Sequence, residues 1–268
     1  MRPINVLIGG LSIFIGAFIA GSIHPIHKVL LAVVSGAMMQ IAANSINDYY
    51  DVNIDKVNKP YRPVPAGLLT RTEAFVFSMI FFMGGIIIGA LINWKAFVIV
   101  IFAFVMLYLY SARLKRTVIW GNLTVSLMTA FAFIYGGVAV DRLNAAFIPA
   151  GFAFLFHFGR EIIKDVEDQT GDMIGNARTL PLIYGTRVAF VVTTWIYCLL
   201  ILVTLLPFIF KIFGIYYLLT VLIGVDLVLI YVLFSMWNKP QASNLGRLST
   251  ILKLDMLVGL IAIYVGRL

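Results

Sequence analysis

The stretch Asn44-Ser45-Ile46-Asn47-Asp48-Tyr49-Tyr50-Asp51-Val52-Asn53-Ile54-Asp55 closes an apolar run that begins near residue 27. A second acidic stretch, Asp165-Val166-Glu167-Asp168-Gln169-Thr170-Gly171-Asp172, closes another that begins near residue 144. Each run is long enough to cross a bilayer, which takes roughly 20 apolar residues. Carboxylates at the edge of lipid are costly unless they are paired, wet or bound to metal. Two such groups at matching places call for a shared, charged site.

Outward from these stretches the chain is almost wholly membrane-like. Of its 268 residues, 62% are hydrophobic, against about 45–50% in a soluble domain. The expected fold is all-α: a single transmembrane domain over 1–268, a bundle of nine spans with a cap over a central cavity. The spans are expected at about 4–22, 27–46, 74–93, 95–112, 118–140, 144–162, 187–208, 212–236 and 250–267. The run after Met1-Arg2 reads as the first span rather than a cleaved leader, because further spans follow at once. The acids end the second and sixth spans, which suggests a parallel repeat of four helices with the last span extra.

Most of the Lys and Arg residues fall on one side, among them Lys56, Lys59, Arg62 and Arg71, then Arg113, Lys115 and Arg116, then Arg160, Lys164, Arg178 and Arg187. That side is expected to face the cytoplasm, with both acidic stretches on it, in a multi-pass protein of the cell membrane. The net charge of +8 is thereby a matter of orientation and not of nucleic-acid binding. One cysteine, Cys198, excludes an intramolecular disulfide, and three scattered histidines give no zinc site. No feature favours one oligomeric state over another.

Helical residues four apart share a face. Asn47, Asp51 and Asp55 do so, as do Asp168 and Asp172, with Asp165 one turn earlier. Facing one another, they offer an amide oxygen and at least four carboxylates, a hard-oxygen set suited to Mg²⁺. Solvated helix ends would be the reading of either set alone; the matched pair argues against it. The stretch Lys59-Pro60-Tyr61-Arg62-Pro63-Val64-Pro65 is stiffened by proline, so Arg62 is held in place. Arg62 and Lys115 could meet phosphate oxygens, as guanidinium fork and point charge; from the residues alone, anchoring on the positive side of the membrane is the plainer reading.

The pairing of Asn47-Asp48-x-x-Asp51-x-x-x-Asp55 with Asp168-x-x-x-Asp172 resembles the two signatures of the UbiA superfamily of intramembrane prenyltransferases. The surrounding stretches 47–67 and 160–172 are most similar to its digeranylgeranylglyceryl phosphate synthase branch. Tyr110-Ser111, Lys115-Arg116 and Gly121-Asn122-Leu123 fit that branch too. The resemblance implies Mg²⁺-dependent transfer of a geranylgeranyl group from geranylgeranyl diphosphate to geranylgeranylglyceryl phosphate in archaeal ether-lipid synthesis. It implies that Asn47, Asp51, Asp55, Asp168 and Asp172 hold the metal, with Asp48 and Asp165 as further ligands or orienting groups. Arg62, Lys115 and Arg113 would neutralise the diphosphate; Tyr49, Tyr50, Tyr108 and Tyr110 are candidates to face the allylic cation, with packing the plainer reading of any one of them. Asn122 could reach a phosphate or equally cap the start of its helix. Arg160, Lys164 and Arg178 are cations in surplus of what a diphosphate needs, as a phosphate-bearing acceptor requires. An aromatic acceptor on the same metal site is the main alternative. A cation transporter is the remote one, and it predicts acids at mid-membrane depth. His157 and Asp226 read as packing and interhelical contacts.

Overall fold

The computed structural model describes residues 3–267; Met1, Arg2 and Leu268 lie outside the described residues. All regular structure among these is helical. In chain order the helices are α1 (Pro3–Ile19), α2 (Ile26–Tyr50), α3 (Val52–Asn58), α4 (Arg71–Ile92), α5 (Trp94–Ala112), α6 (Trp120–Ala139), α7 (Phe147–Glu167), α8 (Gln169–Ile174), α9 (Leu180–Tyr184), α10 (Thr186–Ile209), α11 (Ile215–Val221), α12 (Leu227–Asn238) and α13 (Ala242–Arg267). A π-helical segment, Leu222–Asp226, joins α11 to α12.

Seven of the described helices are long and apolar enough to cross a membrane: α2, α4, α5, α6, α10, the joined α11–α12 and α13. The chain is therefore a multi-pass membrane protein. α1 is apolar but shorter. α7 is long enough, but Arg160, Glu161 and Lys164 interrupt its apolar run.

Local chemistry sets the boundaries. Thr70 caps α4 in a capping box with Glu73, which satisfies two orphan donors at once. Asn93 is the whole connection between α4 and α5. Its Oδ1 accepts the Ala96 N–H at 2.8 Å, and its Nδ2 donates to Val138 O at 2.9 Å, pinning the hairpin to α6.

The largest apolar core lies among α1, α6, α7, α10, α11–α12 and α13, around Phe133, Ile162, Tyr197 and Leu229. Smaller ones join α2, α4, α5 and α6. Helix association inside lipid rests on close packing, and small residues permit it. α1 and α6 meet this way: a Cβ on Gly136 would stand 1.9 Å from Ile13 O, and one on Gly16 would stand 2.2 Å from Phe133 O. Backbone faces backbone at both points, so nothing flexible can give.

Gly136→Ala is therefore expected to push α1 off α6 and cost about 1–3 kcal/mol, read as a thermal midpoint lowered by several degrees in detergent. Gly151→Ala on α7, with nothing within 4 Å of the added Cβ, serves as the control and should leave the midpoint unchanged or raise it. Equal midpoints for both variants would contradict the close crossing.

Candidate active site

The two acidic stretches are not straight helix ends. α2 stops at Tyr50, Asp51 caps it at φ −94° and ψ 8°, and α3 restarts at Val52. α7 stops at Glu167, Asp168 caps it at φ −90° and ψ 5°, and α8 starts at Gln169. The backbone bonds nevertheless keep the four-residue spacing across both breaks. Asp51 N–H donates to Asn47 O at 2.9 Å, Asp55 N–H to Asp51 O at 2.8 Å, and Asp172 N–H to Asp168 O at 3.1 Å. Carbonyls at a helix end need partners. Arg71 Nε donates to Tyr49 O at 3.0 Å and Arg116 to Tyr50 O at 3.2 Å.

α3 and α8 then pack against each other, which brings the two stretches to one place. Asn58 Nδ2 donates to Asp168 O at 3.0 Å. Gly171 makes room for it, since a Cβ there would lie 2.3 Å from Asn58 Nδ2. Between them opens a polar cavity lined by Asn47, Asp51, Lys59, Arg62, Tyr110, Lys115, Gly121, Asn122, Glu161, Lys164, Asp165, Asp168 and Asp172.

Most of its charges are paired, and three of the pairs tie separate segments together. Lys115, in the turn after α5, donates to Asp51. Arg62, in the connection to α4, donates to Asp55 and stands 3.8 Å from Asp48. Lys59 donates to both oxygens of Asp168, at 3.0 and 2.7 Å, and so ties the end of the first acidic stretch to the second. Lys164 donates to both oxygens of Glu161, at 2.9 and 2.8 Å. Asn122 Nδ2 donates to Asp165 at 2.8 Å, and the Ser111 hydroxyl to Asn47 Oδ1 at 2.7 Å.

Several sequence candidates lie elsewhere, among them Asp48 and Asp55, which stand behind the lining against Arg62. Arg113 is exposed and does not line the cavity, because α5 ends at Ala112 and the following 3-10 turn presents Lys115 instead. Tyr50 is engaged with Tyr108 through their hydroxyls at 3.0 Å; Tyr110 is the tyrosine that lines the cavity. Asn122 orients Asp165 as well as lining the wall. Arg160 reaches Glu161 and the Ser249 carbonyl of α13 from outside the lining. Arg178 is exposed, its N–H on Arg116 O. Sequence reasoning missed the Lys59 link and Glu161. Lys59 is signalled by its place four residues after Asp55. Glu161 is signalled by an acid between two cations on one helix turn.

Burial works against charge on Arg62, yet Asp55, Asp48 and Asp51 outweigh it and hold the guanidinium above its ordinary pKa. Burial likewise opposes the Lys115 charge, and Asp51 more than offsets it. Asp172 is pushed up to about 6 by burial, with Asp168 and Asp51 adding to the shift and Lys115 opposing it.

Among the described residues no group of three or more His, Cys, Asp or Glu closes on a metal-sized point. A divalent cation would have to complete its shell with other oxygens. Mg²⁺ ordinarily does, keeping waters and substrate phosphates beside one or two carboxylates. The oxygens fit that demand: Asp51 is 1% exposed, and its Oδ1 has no hydrogen-bond partner. With Lys115 bonded to Oδ2, Asp51 Oδ1 is an oxygen that a cation could use.

A second cavity, almost entirely apolar, lies among α1, α6, α7, α10, α11 and α13. His157 lines it, with Nδ1 buried and unpartnered, as does Asp255 from α13, whose Oδ2 is also unpartnered. His157 is thus a cavity wall and not the packing residue expected. Asp226 is the expected interhelical contact: the Thr204 hydroxyl of α10 donates to it at 3.2 Å.

The profile of the UbiA prenyltransferase family matches residues 10–252. The chain belongs to that family. Digeranylgeranylglyceryl phosphate synthase of Methanosphaera stadtmanae is 31% identical over 100% of this chain and 97% of its own. The enzyme of that name from Pyrococcus horikoshii is 35% identical over 100% of this chain and 95% of its own. A solved structure of digeranylgeranylglyceryl phosphate synthase superposes with a TM-score of 0.78 at 32% identity, covering 98% of this chain and 94% of that one. A UbiA homologue from Archaeoglobus fulgidus, bound to DMAPP and Mg²⁺, shares the fold at a TM-score of 0.74 and 19% identity, covering 98% and 97%. The chain is a prenyltransferase by family, and the cation-transporter alternative falls away.

Gly171→Ala must displace the Asn58 side chain and with it the bond to Asp168. Misplacing catalytic groups by about 1 Å can cost on the order of a hundredfold. Prenyl transfer is expected to fall about ten- to a hundredfold while helix content by circular dichroism stays constant. Undiminished transfer would mean that α3 and α8 need not touch.

Proposed function

We propose that this prenyltransferase moves a geranylgeranyl group from geranylgeranyl diphosphate to the hydroxyl of geranylgeranylglyceryl phosphate, forming an ether bond of an archaeal membrane lipid. The observation that carries the reading is that Asn47 and Asp51 of the first acidic stretch and Asp165, Asp168 and Asp172 of the second line one cavity with cations, tied by Lys59 to Asp168. The full-length likeness to relatives named for this reaction supports the acceptor. On this reading 1–268 is one domain, α1 and α7 cross the membrane beside the seven apolar helices, and the polar cavity with its cap faces the cytoplasm at the cell membrane.

Asn47, Asp51, Asp55, Asp168 and Asp172 would hold Mg²⁺, with Asp48 and Asp165 orienting them. The bound metal supplies charge stabilisation for the departing diphosphate. Arg62 and Lys115 are held protonated by their carboxylates and neutralise the phosphate oxygens that remain. The Tyr110 ring lines the same space and offers a face to cationic character at the prenyl carbon. The prenyl chain would lie in the apolar cavity. α7 carries both: Glu161, Lys164, Asp165 and Asp168 line the polar cavity, and Pro149, Ala153 and His157 line the apolar one.

Purified protein with radiolabelled geranylgeranyl diphosphate and Mg²⁺ should label geranylgeranylglyceryl phosphate and leave an aromatic acid unlabelled. Asp51→Ala and Asp168→Ala should each lose about a hundredfold or more. Labelling of the aromatic acid alone would overturn the acceptor; variants as active as wild type would overturn the metal site.

The proton on Asp172 sets a pH dependence. A carboxyl raised to about 6 keeps its proton below that pH, and a metal ion must displace it. The Mg²⁺ concentration for half-maximal rate should be flat above pH 7 and rise as pH falls through 6, by up to about tenfold per pH unit for one displaced proton. A requirement unchanged between pH 7 and pH 5 would remove Asp172 from the metal site.

A further inference from the structure

Transfer to an alcohol leaves one proton to place. The acceptor oxygen cannot keep its hydrogen once it is bonded to the prenyl carbon, so a base must take it. The acids of the polar cavity are committed elsewhere. Asp51, Asp55, Asp168 and Asp172 hold metal on the function proposed above, and Glu161 accepts Lys164 on both oxygens. They also stand on the diphosphate's side of the prenyl carbon. An oxygen cannot enter along the line by which the diphosphate leaves, so the proton is released toward the apolar cavity.

Few groups there can receive it. Among the described residues that line this cavity, the Ser12 and Thr129 hydroxyls donate to carbonyls of their own helices. The Tyr217 hydroxyl donates to Thr204 O, and the Thr204 hydroxyl to Asp226. His157 and Asp255 remain, each with a buried atom that has no partner, Nδ1 and Oδ2. Their depths differ. His157 is one four-residue step from Glu161, about 6 Å along α7, where the wall changes from charged to apolar. The reacting carbon is bonded directly to the diphosphate and so lies at that same change. Asp255 follows Ser249, whose carbonyl holds Arg160, by about 9 Å of helix, and is deeper. Phe133, Phe152 and Phe156 share the lining with His157 and leave little room for water. The charges around the imidazole are Arg160, Glu161 and Lys164 on α7, with Asp255 of α13 and Tyr217 of α11 on the same cavity and Tyr197 of α10 against the adjacent Phe156.

We propose that His157 is a catalytic base of the transfer, its neutral imidazole taking the proton of the acceptor hydroxyl. Neutral imidazole keeps a lone pair on one ring nitrogen, and proton transfer to a positioned imidazole is a common form of base catalysis. The bond from the prenyl carbon to the diphosphate oxygen breaks, and the diphosphate leaves with the electron pair. A lone pair of the acceptor oxygen makes the new C–O bond. The O–H electron pair stays on that oxygen as the proton passes to His157. Glu161, one turn on, is a counter-charge for the imidazolium, which hands its proton to the departing diphosphate. The assignment rests on the function proposed above and adds the group that completes its proton balance.

The test begins with wild-type protein labelling geranylgeranylglyceryl phosphate; failure there is failure of the proposed function and not of the base. His157→Asn in the full-length protein should lower kcat about a hundred- to ten-thousandfold. KM for both substrates should stay within about threefold, since the lost interaction belongs to the transition state. His157→Ala should lose as much, and added imidazole should restore part of its rate by entering the space left in the cavity. His157→Phe fills that space and should not respond. A residue that only walls the cavity would show no such difference. Where His157→Ala does not yield folded protein, the kcat against KM split of His157→Asn decides. Wild-type kcat in His157→Asn overturns the assignment, as does a loss confined to KM. So does a His157→Ala variant that imidazole does not restore, or restoration of His157→Phe to the same degree. Loss of kcat in Asp255→Asn with His157→Asn unimpaired would place the base on α13 instead.

Discussion

Asp51, Asp55 and Asp168, three carboxylates at the polar end of this bundle, each meet a counter-charge, and the connections of that end are built on those pairs. Breaking a buried ion pair by removing one partner is far costlier than never having had it. The cations that meet Asp51, Asp55 and Asp168 come from other elements: the turn after α5, the connection before α4 and the end of α3. Each pair therefore also fixes a connection. The stretch from Lys59 to Gly67 has little regular structure of its own, yet it is tethered at both Lys59 and Arg62. Charge neutrality here performs the task that apolar packing performs deeper in the bundle.

The same pairing prepares the proposed chemistry. A cavity holding bare carboxylates would repel a diphosphate, and one holding bare cations would bind it without room for metal. With acids and cations interleaved, the acids would hold a divalent cation and Arg62, Lys115 and Lys59 would meet phosphate oxygens. Little net charge is moved into low dielectric, and the groups are in position beforehand, which is where electrostatic catalysis gains most. The unpartnered Asp51 Oδ1 marks where this internal neutralisation is incomplete.

Much of this was legible in the sequence, for a physical reason. Long apolar runs have one use in a chain this hydrophobic, and acids at their ends stand out against them. The spacing of Asn47, Asp51 and Asp55 carried the site because backbone bonds keep that spacing even where the helix breaks. The breaks themselves left no such mark, since a helix stopping at Asp51 and restarting at Val52 has the same periodicity as an unbroken one. Arg113 was misplaced for the same reason: a 3-10 turn rotates side chains relative to an α-helix, and Lys115 takes the inward position. The π segment ending at Asp226 was invisible too. Glu161 escaped notice because its meaning lies in two cations converging on one carboxylate, a matter of side-chain direction.

α7 fails as a simple apolar span for the reason that makes it useful. Pro149, Ala153, His157, Glu161 and Asp165 follow one another at four-residue steps and form one stripe of about 24 Å. The first three border the apolar cavity and the last two the polar one. The stripe changes character once, between His157 and Glu161. Among the described residues no lysine or arginine lines the apolar cavity, so an anionic head has no counter-charge there, while a hydrocarbon chain gains nothing among the ion pairs. A pathway for a small hydrophilic ion would need polar groups at intervals along its length. A single change from charged to apolar suits a molecule that has one charged end and one hydrocarbon end, and it fixes which end points where. On the proposed function, the charges that spoil α7 as a membrane helix would set the depth at which a lipid substrate's reacting carbon comes to rest.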